Sequence, residues 1–100
     1  MPTNFSVSIS SVSADTVAHS ATATVVVSAV GQYWKGSVNM SYTAPGCDNV
    51  SPSGEAVSVP RGGSVTRMVD LSNSTAVSTT FQASGGSSGE VESQSQGVNL

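Results

Sequence analysis

The stretch Ser20-Ala21-Thr22-Ala23-Thr24-Val25-Val26-Val27-Ser28-Ala29 decides the fold class of this chain. Ala21, Ala23, Val25, Val27 and Ala29 fall on one parity, with Thr22 and Thr24 on the other. A period of two is the mark of a strand, whose successive side chains point to opposite faces. Val26 makes the second face partly apolar, so the segment predicts a central strand with some cover on both sides. The same alternation recurs toward both termini. Phe5, Val7 and Ile9 share a face, as do Val38, Met40 and Tyr42, then Val57 and Val59, then Val77, Thr79, Phe81 and Ala83. Residues 64–71 form a further strand, and residues 90–100 a last, weakly patterned one.

Between these runs lie turn signals. Residues 14–20 read as a turn, and Ala44-Pro45-Gly46 places Pro and Gly where a type II turn prefers them. Residues 47–54 are irregular, Arg61-Gly62-Gly63 follows Pro60 as a turn, and Gly85-Gly86-Ser87-Ser88-Gly89 reads as a flexible loop. One strand is flawed. Arg67 shares a face with Val65, Val69 and Leu71, while Met68 falls opposite. Two explanations stay open: a bulge near Arg67, or an edge from which Arg67 snorkels outward. The expectation is one domain over residues 1–100, all-β, a seven-stranded antiparallel two-sheet sandwich of immunoglobulin-like form. Its core should hold Val25, Val27, Val38, Met40, Val77 and Phe81.

Composition agrees and excludes much. Of 100 residues, 21 are Ser, 9 Thr and 16 Val, against 2 Leu and 1 Ile, which is no composition for a helical bundle. Gly, Pro and Ser total 35 residues, enough to raise disorder as a competitor. The period-2 alternation and the low charge decide against it. Charged residues make 9% of the chain, and the net charge of −3 argues against binding to nucleic acid, which needs clustered Lys and Arg. The longest aliphatic run, Val25-Val26-Val27, is far short of the roughly 20 residues that span a bilayer. Met1-Pro2-Thr3-Asn4 carries no positive side chain and leads straight into alternation, so it does not read as a signal peptide.

Catalytic chemistry finds few candidates. His19 is the single imidazole and Cys47 the single thiol, and no spacing joins them to a third group. His19 reads better as a residue in a left-handed turn position. One His and one Cys do not make a zinc site, and Asp48, Asn49 and Glu55 match no calcium loop, so neither metal nor cofactor is expected. Asn4, Asn39, Asn49 and Asn73 each open an Asn-x-Ser/Thr sequon, a count that a chain this rich in Ser and Thr inflates. The residues that stand out as a ligand site are Tyr33, Trp34 and Lys35. Neighbours in an extended segment point opposite ways, so one ring faces out when the other faces the core. An exposed ring stacks on sugars or partner surfaces.

Three stretches resemble the bacterial and phage immunoglobulin-like domains related to fibronectin type III. His19-Ser20-Ala21-Thr22-Ala23-Thr24-Val25 resembles the turn and second strand, where that family usually has Gly-x-Ser. Tyr33-Trp34-Lys35-Gly36-Ser37-Val38-Asn39-Met40-Ser41 resembles the aromatic-x-Gly-x-Val start of the third strand. Val59-Pro60-Arg61-Gly62-Gly63-Ser64-Val65 resembles the Pro-x-Gly-Gly turn before the fifth. The paired cysteines of antibody domains are absent, and Val77 stands at the position of a tyrosine corner. The resemblance implies surface display, adhesion, spacing or glycan contact by a domain that is not itself an enzyme.

With so little charge to keep copies apart, packing against copies or a scaffold is expected as well. The leading expectation is a structural module on a phage or virus particle, a capsid decoration or tail accessory. It would bind a capsid or tail protein and present loops, with self-association and contact to surface glycans as further properties. The alternative is a spacer or carbohydrate-binding module of a multidomain secreted bacterial protein, at the cell surface or outside the cell, bound to neighbouring domains.

Overall fold

A computed structural model describes residues 4–100, so the opening Met1-Pro2-Thr3 lies outside the described residues. Eight strands follow in order: β1 (Phe5–Asp15), β2 (Ser20–Ala29), β3 (Gly36–Thr43), β4 (Asn49–Ser51), β5 (Gly54–Val59), β6 (Ser64–Ser72), β7 (Ser78–Ser87) and β8 (Glu90–Asn99). They make two four-stranded sheets, β1-β2-β6-β4 and β5-β3-β7-β8, with every pairing antiparallel. The described residues contain no helix, and so none long and apolar enough to cross a membrane. The architecture is all-β and sandwich-like, as expected.

The strand count is eight rather than seven, because β4 forms inside the segment read as irregular. After β3 the chain crosses to the edge of the other sheet, where Asn49, Val50 and Ser51 pair with Ser72, Leu71 and Asp70. It then returns to pair β5 with β3. Two other expectations need correction. β1 runs on past Ile9 by means of a bulge at Ser10, where Ile9 opposes Val25 and Ser11 opposes Thr24, and takes in Ala14 and Asp15, the first two residues of the segment read as a turn. The extra residue resets the parity, so Val12 opposes Ala23 on the inner face where an unbroken strand would have turned it outward. β7 likewise runs through Gly85, Gly86 and Ser87. Only Ser88 and Gly89, at φ 51° and 82°, make the turn to β8, the two left-handed positions of a type I′ hairpin.

The inner faces supply one core. Val25, Val27, Val38, Met40 and Phe81 are buried in it together with Phe5, Tyr42, Val57, Val59, Val69, Leu71, Val98 and Leu100. Val77 departs from expectation. It precedes β7, exchanges backbone hydrogen bonds with Leu100, and is only half-buried against the core. β2 is central, and its outward side chains from Thr22 to Ser28 are half-buried, which matches its apolar pattern.

Gly85 explains why a Gly-rich run belongs in a strand. A Cβ there would sit 2.8 Å from Met40 Sδ and from Val38 Cγ1, and 3.2 Å from Val7 Cγ2. β7 can therefore lie this close to the facing core only without a side chain at that position. Gly85→Ala should lower the unfolding free energy by about 1–3 kcal/mol, the usual cost of overpacking, as read from chemical denaturation.

Candidate functional site

Three segments meet at one end of the sandwich: the β2–β3 loop (30–35), the β5–β6 turn (60–63) and the start of β1. Backbone hydrogen bonds tie them together. Val30 N–H donates to Asn4 O at 2.9 Å, Ala29 N–H to Gly63 O at 2.8 Å, and Gly62 N–H to Trp34 O at 3.1 Å. Gly62 has φ 62°, and a Cβ on it would lie 2.6 Å from Gln32 O, so the loop and turn approach this closely only because the residue is glycine. Glu90 closes the rim by accepting from the backbone N–H and the side-chain Nδ2 of Asn4, at 3.1 and 2.9 Å.

Within this frame the loop alternates out, in, out. Tyr33 is 75% exposed and Lys35 is exposed, while Trp34 turns inward against the core. The indole stacks on Phe5 with ring centroids 5.9 Å apart and 28° between planes. It also lies over Gly36, where a Cβ would come within 2.8 Å of Cζ2. Trp34 is thus a plug for the end of the sandwich, and Tyr33 is the ring left exposed. Arg61, exposed in the neighbouring turn, adds a second cation to this end. The arrangement offers a phenol face with cationic groups on the same end, suited to stacking and to holding a polar or anionic partner.

The remaining sequence candidates lie elsewhere. His19 takes the left-handed turn position expected of it, at φ 53°, and its Nδ1 is buried without a hydrogen-bond partner. Its carbonyl accepts from Asn73 N–H, and Asn73 Oδ1 accepts from Asp48 N–H, so His19 and Cys47 belong to neighbouring loops at the opposite end. Burial, then the charge of Asp48, pushes the Cys47 thiol up, which keeps it protonated and a poor nucleophile. Asp48 and Glu55 do not converge on an ion. Asp48 accepts from Ser74 N–H, Glu55 is held elsewhere, and the described residues hold no group of three or more His, Cys, Asp or Glu able to bind a metal. Among the sequons, Asn39 and Asn49 are exposed, whereas the side chains of Asn4 and Asn73 are spent on Glu90 and Thr75.

Sequence reasoning missed the partner of Arg67. The register of β6 with β2 is unbroken, so there is no bulge. β4 covers β6 only at Asp70–Ser72, which leaves Arg67 on a local edge, facing β5 of the other sheet. Its Nε and Nη2 donate to Glu55 Oε1 at 2.9 and 2.6 Å, and the Tyr42 hydroxyl donates to Glu55 Oε2 at 2.8 Å. This network bridges the two sheets. The Tyr42 phenol is pushed far up, by burial first and then by its hydrogen bond to Glu55. For Glu55, burial pushes the carboxyl up, but the hydrogen bonds from Arg67 and Tyr42 and the Arg67 charge outweigh it and hold the group below its ordinary value.

A carboxyl lowered by folding stabilises the fold above its unfolded value, about 4.3 for Glu, and that stability is lost as pH falls through the lower folded value. The thermal midpoint should therefore drop once pH passes below about 4.3. Glu55→Gln should make that drop shallower, as seen by thermal scans across the acid range.

Comparison with known proteins adds the fold and little else. No family model and no curated protein matches the chain. Among solved structures, two crystal structures of the β-glucosidase from Kluyveromyces marxianus are similar, one selenomethionine-labelled and one in complex with glucose. Each shares 19% sequence identity at a TM-score of 0.51. Both matches take in 96% of this chain but only 15% and 14% of those chains. The likeness is one of fold.

Proposed function

We propose that the chain is a non-catalytic, immunoglobulin-like module displayed on a phage or virus particle, as a capsid decoration or tail accessory. One edge or end binds the particle, and the opposite loops face outward for host or surface attachment. The observation that carries this reading is Tyr33, 75% exposed on a loop clamped from behind by Trp34 and Gly62. A loop backbone tied in this way meets a partner with little further ordering of its own. The sparse charge and the serine-rich outer faces suit a protein that lies against other protein surfaces.

A second reading has its own support. In the β-glucosidase the similar fold is a small share of a much longer chain, which favours a spacer or carbohydrate-binding module of a multidomain secreted protein. Immunogold labelling with an antibody against the domain separates the two. Gold on intact, purified particles is the expected result. Label confined to a larger secreted polypeptide, with particles bare, overturns the first reading in favour of the second.

A further inference from the structure

Four strands lie at the sheet edges, and β6 is open as well from Ser64 to Val69, where Arg67 bonded to Glu55 charges it. Three of the four edge strands are guarded. β1 carries the Ser10 bulge. β4 is three residues long and runs into Pro52, while β5 is six residues long with Pro60 directly after it. Bulges, short strands and prolines are among the means by which sheet edges avoid pairing with other chains, and charged side chains are another. β8 is long and has neither bulge nor proline. Its ten residues pair with β7 in unbroken register, from Ser78 opposite Asn99 to Ser87 opposite Glu90, without Lys or Pro. Both its charges, Glu90 and Glu92, sit at its start, and Glu90 already accepts from Asn4. From Ser93 to Asn99 the strand is uncharged and, apart from Val98, exposed.

Every second residue of such an edge turns its N–H and C=O away from its own sheet. Among the described residues no strand pairs with that side of β8. β1 of the other sheet lies alongside β8, and among the described residues the two are not paired as strands.

We propose that β8 is a self-association edge, to which β8 of a second copy adds in antiparallel fashion to join two four-stranded sheets into one. An edge that is its own complement under a two-fold axis takes a second copy, and the placement of charge sets the orientation. Antiparallel pairing about Ser95 sets Gln94 against Gln96, Ser93 against Gly97 and Glu92 against Val98 of the other copy. Opposed residues then share a face of the joined sheet, as strand pairing requires. The acidic start of each copy meets the uncharged half of its partner. Parallel pairing in register would instead stack Glu92 beside Glu92, which repels. The contact is isologous, so it closes at two copies and does not propagate into a fibre. A virion or secreted scaffold that presents these domains in pairs would use it, but the pairing depends on neither setting.

Analytical ultracentrifugation of the intact chain tests this. The wild type should show a concentration-dependent monomer–dimer equilibrium. Gln94→Lys with Gln96→Lys changes two exposed side chains and sets lysine against lysine twice across the pair. It should raise the dimer dissociation constant at least about tenfold, with the circular-dichroism spectrum unchanged. Gln94→Glu with Gln96→Glu should do the same. Mixing the two double variants should restore association as a heterodimer, a rescue that general damage to the fold would not produce. A wild type that stays strictly monomeric at high concentration overturns the proposal. So does a dimer that neither double variant weakens, or one that mixing does not restore.

Discussion

Phe81→Ala is expected to lower the unfolding free energy by about 3–5 kcal/mol, as for other buried Phe truncations. Phe81 is fully buried on β7, a strand with neighbours on both sides, and it stacks on Tyr42 with centroids 6.2 Å apart. The rest of the core is mostly Val and Ala, side chains too short to collapse into the space a phenyl ring leaves. Domains of ordinary stability have about 5–15 kcal/mol in total, so a loss of this size removes a large share of it. Guanidinium titration should show the midpoint shifted far down with the slope unchanged. Val77→Ala is the contrast. That side chain is only half-buried outside the strand, and its loss should cost about 1 kcal/mol. Equal losses at the two positions would mean that Val77 carries core weight its exposure does not suggest.

How far the sequence reveals the fold depends on whether parity survives. In β2 it does, from Ala21 to Ala29, and the central position followed from Val26. In β1 the apolar residues switch from odd numbers, ending at Ile9, to even numbers at Val12, and the switch reads as a strand end when it marks a bulge. β4 offers only Val50 between polar neighbours, and three residues cannot display a period. Gly85 and Gly86 carry the composition of a loop. Their place in β7 follows from the approach of Met40 and Val38, contacts distant in sequence. Arg67 shows the same limit in a side chain. Its inward parity was legible, but Glu55 lies twelve residues back on the other sheet, and no local pattern joins the two.

The aromatic loop is the case where sequence framed the question and only packing answered it. Alternation required one ring of Tyr33 and Trp34 to face out, without saying which. Gly36 and Phe5 decide: the first leaves room for an indole and the second offers it a face. The two truncations should therefore separate cleanly. Trp34→Ala uncovers Phe5 and the end of the core, and should cost about 2–3 kcal/mol, below the 3–5 typical of a fully buried Trp because Trp34 is only half-buried. Tyr33→Ala removes a ring that is 75% exposed, and should leave the unfolding midpoint within about 0.5 kcal/mol of wild type. Binding should show the reverse order of clarity. A stacked ring contributes roughly 0.5–1.5 kcal/mol beyond its buried area, so Tyr33→Ala should weaken attachment of the folded domain to its host or partner surface severalfold. The paired measurement is a denaturation midpoint and a surface-binding isotherm for each variant. If both midpoints fall together, the whole loop is a structural plug, and the attachment surface has to be sought elsewhere on the sandwich.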